Sequence, residues 1–137
     1  MKVTKSQLKE LIYQVTGAAI TVHKELGPGL LESVYHHCMK VELRDRKINF
    51  ASELIVPILF KGEKLDADLR CDLFIENILP LELKSVEQII PIHEAQILTY
   101  MKLLQAPKGL LINFNTTNIY KEGQKSFVNE LYRNLKE

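Results

Sequence analysis

The stretch from Asp72 to Lys84 constrains the fold more than any other. Two apolar runs meet at Glu76-Asn77, a pair suited to the tight turn of a hairpin. Successive side chains of a strand point to opposite faces, so Glu82 and Lys84 share one face, and Leu81, Leu83 and Ser85 share the other. A turn centred on Asn77 sets Asp72 opposite Glu82. Two acids and a lysine then converge on one patch of sheet. Acidic residues are depleted in strands and costly to bury, so the cluster asks for a reason. Adjacent carboxylates repel unless a cation bridges them, and hard oxygen donors without thiolates suit Mg²⁺ or Mn²⁺. Such an ion polarises a phosphoryl oxygen and lowers the pKa of a bound water. Lys84 would orient that water or stabilise developing charge. As a base it would need its pKa brought down from ~10.4, and neighbouring carboxylates push the other way. The competing reading is an exposed cross-strand salt bridge worth ~0–1 kcal/mol.

Around this hairpin the periodicity alternates between helix and strand. Leu8, Leu11, Ile12, Val15, Ala18, Ala19, Val22 and Leu26 recur at helical spacing, and Thr4 with Gln7 fits a capping box, so residues 5–26 read as a helix. His23 flanks its apolar stripe, as a structural histidine does. Gly27-Pro28-Gly29 breaks that helix, and a second runs from Leu30 to Arg46. Glu32 lies in its first turn, either favouring the positive helix end, worth ~0.3–1 kcal/mol, or leaning over the sheet as a further carboxylate. Ser52 to Phe60 reads as a strand whose Pro57 marks an edge or a bulge. Lys61-Gly62-Glu63 forms a hairpin turn. Along the next strand, Lys64 to Ile75, Leu65, Ala67, Leu69, Cys71 and Leu73 face one way, and Asp66, Asp68, Arg70 and Asp72 the other. Ile78 to Val86 completes three meandering strands.

A helix then spans Ile92 to Leu104, with Pro91 at its start. His93, Gln96 and Tyr100 form a polar row on one face, which either meets solvent or faces a site. Leu110 to Phe114 fits a central, parallel strand following a helix. Ile119 to Lys121 reads as a short edge strand, and Phe127, Val128, Leu131 and Leu135 mark a terminal helix. The order implies an α/β fold, a mixed sheet flanked by helices, in one domain over residues 1–137.

The net charge of +1 gives no overall basic field, so any nucleic-acid contact must be local or come from a dimer groove. Arg70, Lys61, Lys64, Lys102 and Lys108 are the cations whose place along the chain suits phosphate contacts. Cys38 and Cys71 make neither a disulfide framework nor a zinc site. The first residues lead into an amphipathic helix, and no apolar run approaches the ~20 residues of a membrane span. The expectation is a soluble cytoplasmic protein with no membrane partner. One small, nearly neutral domain offers little binding surface, which makes a homodimer an option.

The string Gly29-Leu30-Leu31-Glu32-Ser33-Val34-Tyr35 matches the pattern that names the GxxExxY protein family. Val22 to Gly29, Glu82-Leu83-Lys84, His93-Glu94-Ala95-Gln96 and Leu111 to Asn115 also resemble that family. The likeness runs from about Ile12 to Val128. The family is placed in the PD-(D/E)xK nuclease superfamily, so the resemblance implies a restriction-endonuclease-like core and hydrolysis of nucleic-acid phosphodiesters, DNA ahead of RNA, with Mg²⁺ or Mn²⁺. By position, Asp72 and Glu82 would be metal ligands, joined by the Leu83 carbonyl and by Glu32 as an additional acid, and Lys84 would be the motif lysine. Gln96 and Tyr100 resemble the Gln-x-x-x-Tyr element of RecB-like members, and His23 would correspond to their helix histidine. Cys71 stands where the motif has proline, a residue that is not a ligand. Two alternatives keep the same fold: a weakly active or inactive module binding nucleic acid or a protein, and a hydrolase of small phosphate esters.

Overall fold

The computed structural model describes residues 2–65 and 69–137. The expected facing of Asp66, Ala67 and Asp68 lies outside them. Helix α1 (Lys5–Leu26) starts as the sequence implies: Thr4 accepts the Gln7 N–H, and the Gln7 side chain accepts the Thr4 N–H. It ends where the Gly27 N–H meets His23 O at 2.7 Å. Gly27 (φ 70°) and Gly29 (φ 94°) both occupy backbone regions that a β-carbon strains, which is why this turn is built from glycine. Helix α2 then runs Glu32–Asp45, starting two residues later than expected.

Strands β1 (Phe50–Ile55), β2 (Ile58–Phe60), β3 (Glu63–Leu65), β4 (Arg70–Ile75) and β5 (Leu79–Lys84) follow. The single strand expected over 52–60 is broken at Val56-Pro57, where Pro57 has no N–H for a ladder. Beyond the break, β2 and β3 form a separate hairpin. Its turn residues Lys61 (φ 52°) and Gly62 (φ 83°) suit a tight hairpin connection. Between β4 and β5, Glu76 (φ 53°) and Asn77 (φ 55°) make the turn read from the sequence. The pairing Leu73↔Leu81, Phe74↔Pro80, Ile75↔Leu79 centres it on Asn77 as expected.

Helix α3 (Pro91–Leu103), with proline at its first position, carries the chain across to β6 (Lys108–Asn113), which lies parallel to β5. A parallel pair needs such a crossover. The expected edge strand at Ile119–Lys121 is instead a π-helical turn over Ile119–Gly123. Phe127 belongs to a fifth sheet strand, β7 (Gln124–Val128), antiparallel to β6, and not to a helix. The terminal helix α4 is only Glu130–Arg133. The free edge of β6 decided this: five extended residues gain a full ladder there, and periodicity over so short an apolar run cannot discriminate. The sheet order is β1-β4-β5-β6-β7, an α/β arrangement with a mixed sheet flanked by helices. Among the described residues no helix is long and apolar enough to cross a membrane.

Two faces divide the labour. Leu73, Leu81, Leu83, Leu110 and Ile112 pack with Val15 and Ala18 of α1 and Tyr35 and Met39 of α2. By alternation Glu82 and Lys84 point to the opposite face, which α3 covers. Helix α3 comes close because β6 offers a glycine. A β-carbon on Gly109 would sit 2.8 Å from Met101 Sδ and 3.0 Å from Ile97 Cγ1, both fully buried side chains. Gly109→Val should therefore overpack this contact and cost ~1–3 kcal/mol, read as a lower denaturant midpoint at unchanged slope. An unchanged midpoint would mean that α3 is free to lift.

Candidate active site between strands β4 and β5

Backbone pairing of β4 and β5 is regular up to Leu73↔Leu81. The next pair in the same register is Asp72 and Glu82, and there side chains take over from the ladder. The Asp72 N–H donates to Glu82 Oε2 at 2.8 Å, and the Leu83 N–H donates to Asp72 Oδ2 at 2.8 Å. Each carboxylate thus crosses to the partner strand. Each also keeps its other oxygen, Asp72 Oδ1 and Glu82 Oε1, without a hydrogen-bond partner among the described residues.

The electrostatics record the strain of this arrangement. Burial, then the Asp72 carboxylate, pushes Glu82 up to about 8; the Asp72 N–H and Lys84 oppose, and Glu32 adds to the rise. Asp72 is also raised, first by burial, with the Leu83 N–H, His36 and Lys84 opposing and Glu53 adding. Glu32 is raised by desolvation and by Asp72, against Lys84. Glu32, Asp72, Glu82 and Lys84 therefore feel one another's charge, the convergence the sequence implied.

The Gly29, Glu32 and Tyr35 string works as one mechanical unit. The Tyr35 hydroxyl donates to Gly27 O at 2.5 Å and accepts the Leu30 N–H at 3.2 Å. Its ring stacks on Phe114, centroids 4.4 Å apart and 7° from parallel. Ser85 Oγ donates to Leu30 O at 2.6 Å. The start of α2, and Glu32 with it, is thereby tied to the residue after Lys84.

From the other face, Lys84 Nζ donates to Gln96 Oε1 at 3.2 Å, Gln96 Nε2 donates to the Tyr100 hydroxyl at 3.3 Å, and that hydroxyl donates to Arg70 O at 2.6 Å. Tyr100 is 1% exposed. Its hydroxyl thus links Gln96 to the backbone of β4 from within the interior. Arg70 is at the exposed start of β4 and takes part through its carbonyl. His23 is not brought to the acids: its Nε2 pairs with Thr116 O at 2.7 Å, beside Thr117 and Asn118, as a structural histidine would.

Three neighbours of the site were not read from the sequence. Buried Asn113 clamps the segment after Lys84, accepting the Val86 N–H at 3.1 Å and donating to Val86 O at 2.9 Å. Its signal was a lone amide inside the apolar run Leu110 to Phe114. His36, one turn after Glu32 on α2, faces Asp72 electrostatically and pairs with Ser52 Oγ at 3.0 Å. Its spacing from Glu32 was the available clue. Glu53 holds φ 51° between the pairs Ser52↔Leu73 and Leu54↔Cys71, opposite Asp72. Such a backbone costs of order 1–3 kcal/mol, and no sequence pattern announces it.

Among the described residues no three His, Cys, Asp or Glu side chains stand close enough together to hold an ion. Glu32, Asp72 and Glu82 face a common region without closing to coordination distance. The donor chemistry nonetheless fits a hard divalent cation: a buried Glu82 and a half-buried Asp72 lie side by side, each with an oxygen to spare and each raised first by burial.

The sequence model of the PD-(D/E)XK nuclease superfamily matches residues 9–127 of this chain, which takes in every residue of the site. No curated protein and no solved structure matches it.

A pH dependence follows from the raised carboxyls. Glu82 binds its proton more tightly folded than unfolded, so the folded state holds more protons between the ordinary carboxylate range and about 8. Stability must then fall as pH rises through that window. In chelator, the melting temperature should drop from pH 5 to pH 8, and Glu82→Gln should flatten much of that drop. A metal-free protein more stable at pH 8 than at pH 5 would contradict the electrostatics.

Proposed function

Because the chain belongs to the PD-(D/E)XK nuclease superfamily, we propose that it hydrolyses nucleic-acid phosphodiester bonds with Mg²⁺ or Mn²⁺ bound at Asp72 and Glu82. We assign it to the GxxExxY branch on the string from Gly29 to Tyr35, and we take residues 1–137 as one nuclease-like domain. The observation that carries the reading is the Asp72–Glu82 pair, half-buried and buried, each with one carboxylate oxygen unused, beside a tethered Lys84.

Asp72 Oδ1 and Glu82 Oε1 would hold the cation, with Glu32 and the Leu83 carbonyl completing its shell directly or through water. When bound, the ion supplies a Lewis acid for a phosphoryl oxygen and a water of lowered pKa. The remaining work falls to this chain's side chains. Gln96 fixes Lys84 Nζ by one hydrogen bond, which leaves the ammonium's other N–H groups for the attacking water and the charged phosphorane. Surrounded by three acids, Lys84 is suited to electrostatic stabilisation and not to proton abstraction. Glu32, on the surface side of the cluster, is placed to accept the proton of the incoming water or to orient it. The two backbone N–H groups on Asp72 and Glu82 hold these carboxylates in place before substrate arrives, so little reorganisation is needed.

Glu82→Ala and Lys84→Ala should each lower cleavage at least ~100-fold, and Lys84→Ala should do so while leaving the fold intact. The assay compares single-stranded DNA, duplex DNA, RNA and free nucleotides in Mn²⁺, in Mg²⁺ and in chelator. Cleavage by the wild type that Glu82→Ala retains would place the activity outside this site.

A further inference from the structure

Beside the acid cluster lies a groove of about 310 Å³ between α3 and Leu69, the residue before β4, lined by Leu69, Ile92, His93, Ala95, Gln96 and Thr99. It shares Gln96 with the cluster, and Gln96 accepts from Lys84 Nζ at 3.2 Å, so one side chain separates the groove from the lysine. Its chemistry is unlike that of its neighbour. Among the described residues no lysine or arginine lines it, so it is not built for a phosphate. Leu69, Ile92 and Ala95 give apolar walls, and Ile92 is 67% exposed, an apolar side chain left open to solvent.

The polar groups that α3 interleaves with these apolar ones are suited to the edge of a heterocycle. His93 Nδ1 accepts the Ile90 N–H at 3.1 Å, which leaves Nε2 to carry the proton of the neutral ring as a donor. The Thr99 hydroxyl donates to Ala95 O at 3.0 Å and keeps its lone pairs. An uncharged slot with apolar walls and a donor and an acceptor at its rim, adjoining a phosphodiester centre, has the character of a base pocket.

We propose that this groove binds one unpaired nucleobase adjacent to the scissile phosphodiester. A base cannot enter such a slot while stacked and paired in a duplex. The substrate of this site is then a single strand, a frayed end, a flap or a flipped nucleotide, of DNA or RNA, and intact duplex is excluded. This rests on the phosphodiesterase reading above but is tested separately from it, by binding without turnover.

The experiment measures fluorescence anisotropy of a labelled oligonucleotide with the full chain in chelator. It compares a single strand, the same strand in blunt duplex, its RNA counterpart, and the strand with abasic sites. The wild type should bind the single strand at least about tenfold more tightly than the duplex, and abasic sites should erase most of that gain. Ala95→Trp fills the groove from an exposed helix position and should abolish the preference; Ile92→Ser should weaken it without adding bulk. Both variants should melt with the wild type, because neither side chain is buried. Equal affinity for single strand and duplex, or a preference that Ala95→Trp leaves unchanged, overturns the groove assignment. A strand preference in a protein that cleaves nothing in Mn²⁺ sustains the groove and overturns the nuclease reading instead. The DNA and RNA arms decide which sugar the pocket tolerates.

Discussion

Two hydrogen bonds that cross between strands organise this protein: the Asp72 N–H on Glu82 and the Leu83 N–H on Asp72. They stand where backbone ladder bonds would otherwise continue. A carboxylate taken out of water is costly unless it is paired, and here a buried Glu82 and a half-buried Asp72 lie side by side. Charge-assisted hydrogen bonds from backbone N–H groups offset part of that cost, and Lys84 offsets a smaller part. The sheet gives way on the other side as well, since Glu53 leaves the β-region opposite the same Asp72. The fold holds an unfavourable charge arrangement in place with regular strands on one side of it and packed helices above and below.

The surrounding elements converge on the few residues around Lys84. Ser85 is tied to the turn that starts α2, Val86 is clamped by Asn113 of β6, and Lys84 itself is tied to Gln96 of α3. Three segments distant in sequence thus fix one end of β5. Behind each tether stands a rigid support: Tyr35 stacked on Phe114 for α2, and Tyr100 bonded to Arg70 O for α3. Reacting groups held within small tolerances need supporting groups of this kind. Buried polar residues such as Tyr100 and Asn113 serve as such supports through their bonds to Arg70 O and to Val86.

The hairpin was legible in the sequence because two local rules agreed there. Apolar alternation set the faces, and Glu76-Asn77 set the turn that fixed the register. The crossover helix and the parallel strand after it were legible for the same reason: a long periodic element followed by a short apolar run. The last third of the chain was not. Phe127 and Val128 suit a helix or a strand, and only the unpaired edge of β6, a tertiary fact, chose the strand. His23 and Tyr100 show a second limit. Both occupy the expected helices, yet one is bonded to a remote loop and the other turns into the interior. Spacing identifies a face of a helix, and packing decides what that face meets.

The central claim is that the Asp72–Glu82 pair is an ion site. Anomalous scattering from crystals grown with Mn²⁺ tests it most directly. The account predicts a manganese peak shared by Asp72 Oδ1 and Glu82 Oε1, with both backbone N–H bonds to the opposite oxygens retained. A crystal with manganese bound elsewhere on the chain and no peak between these two carboxylates would contradict it.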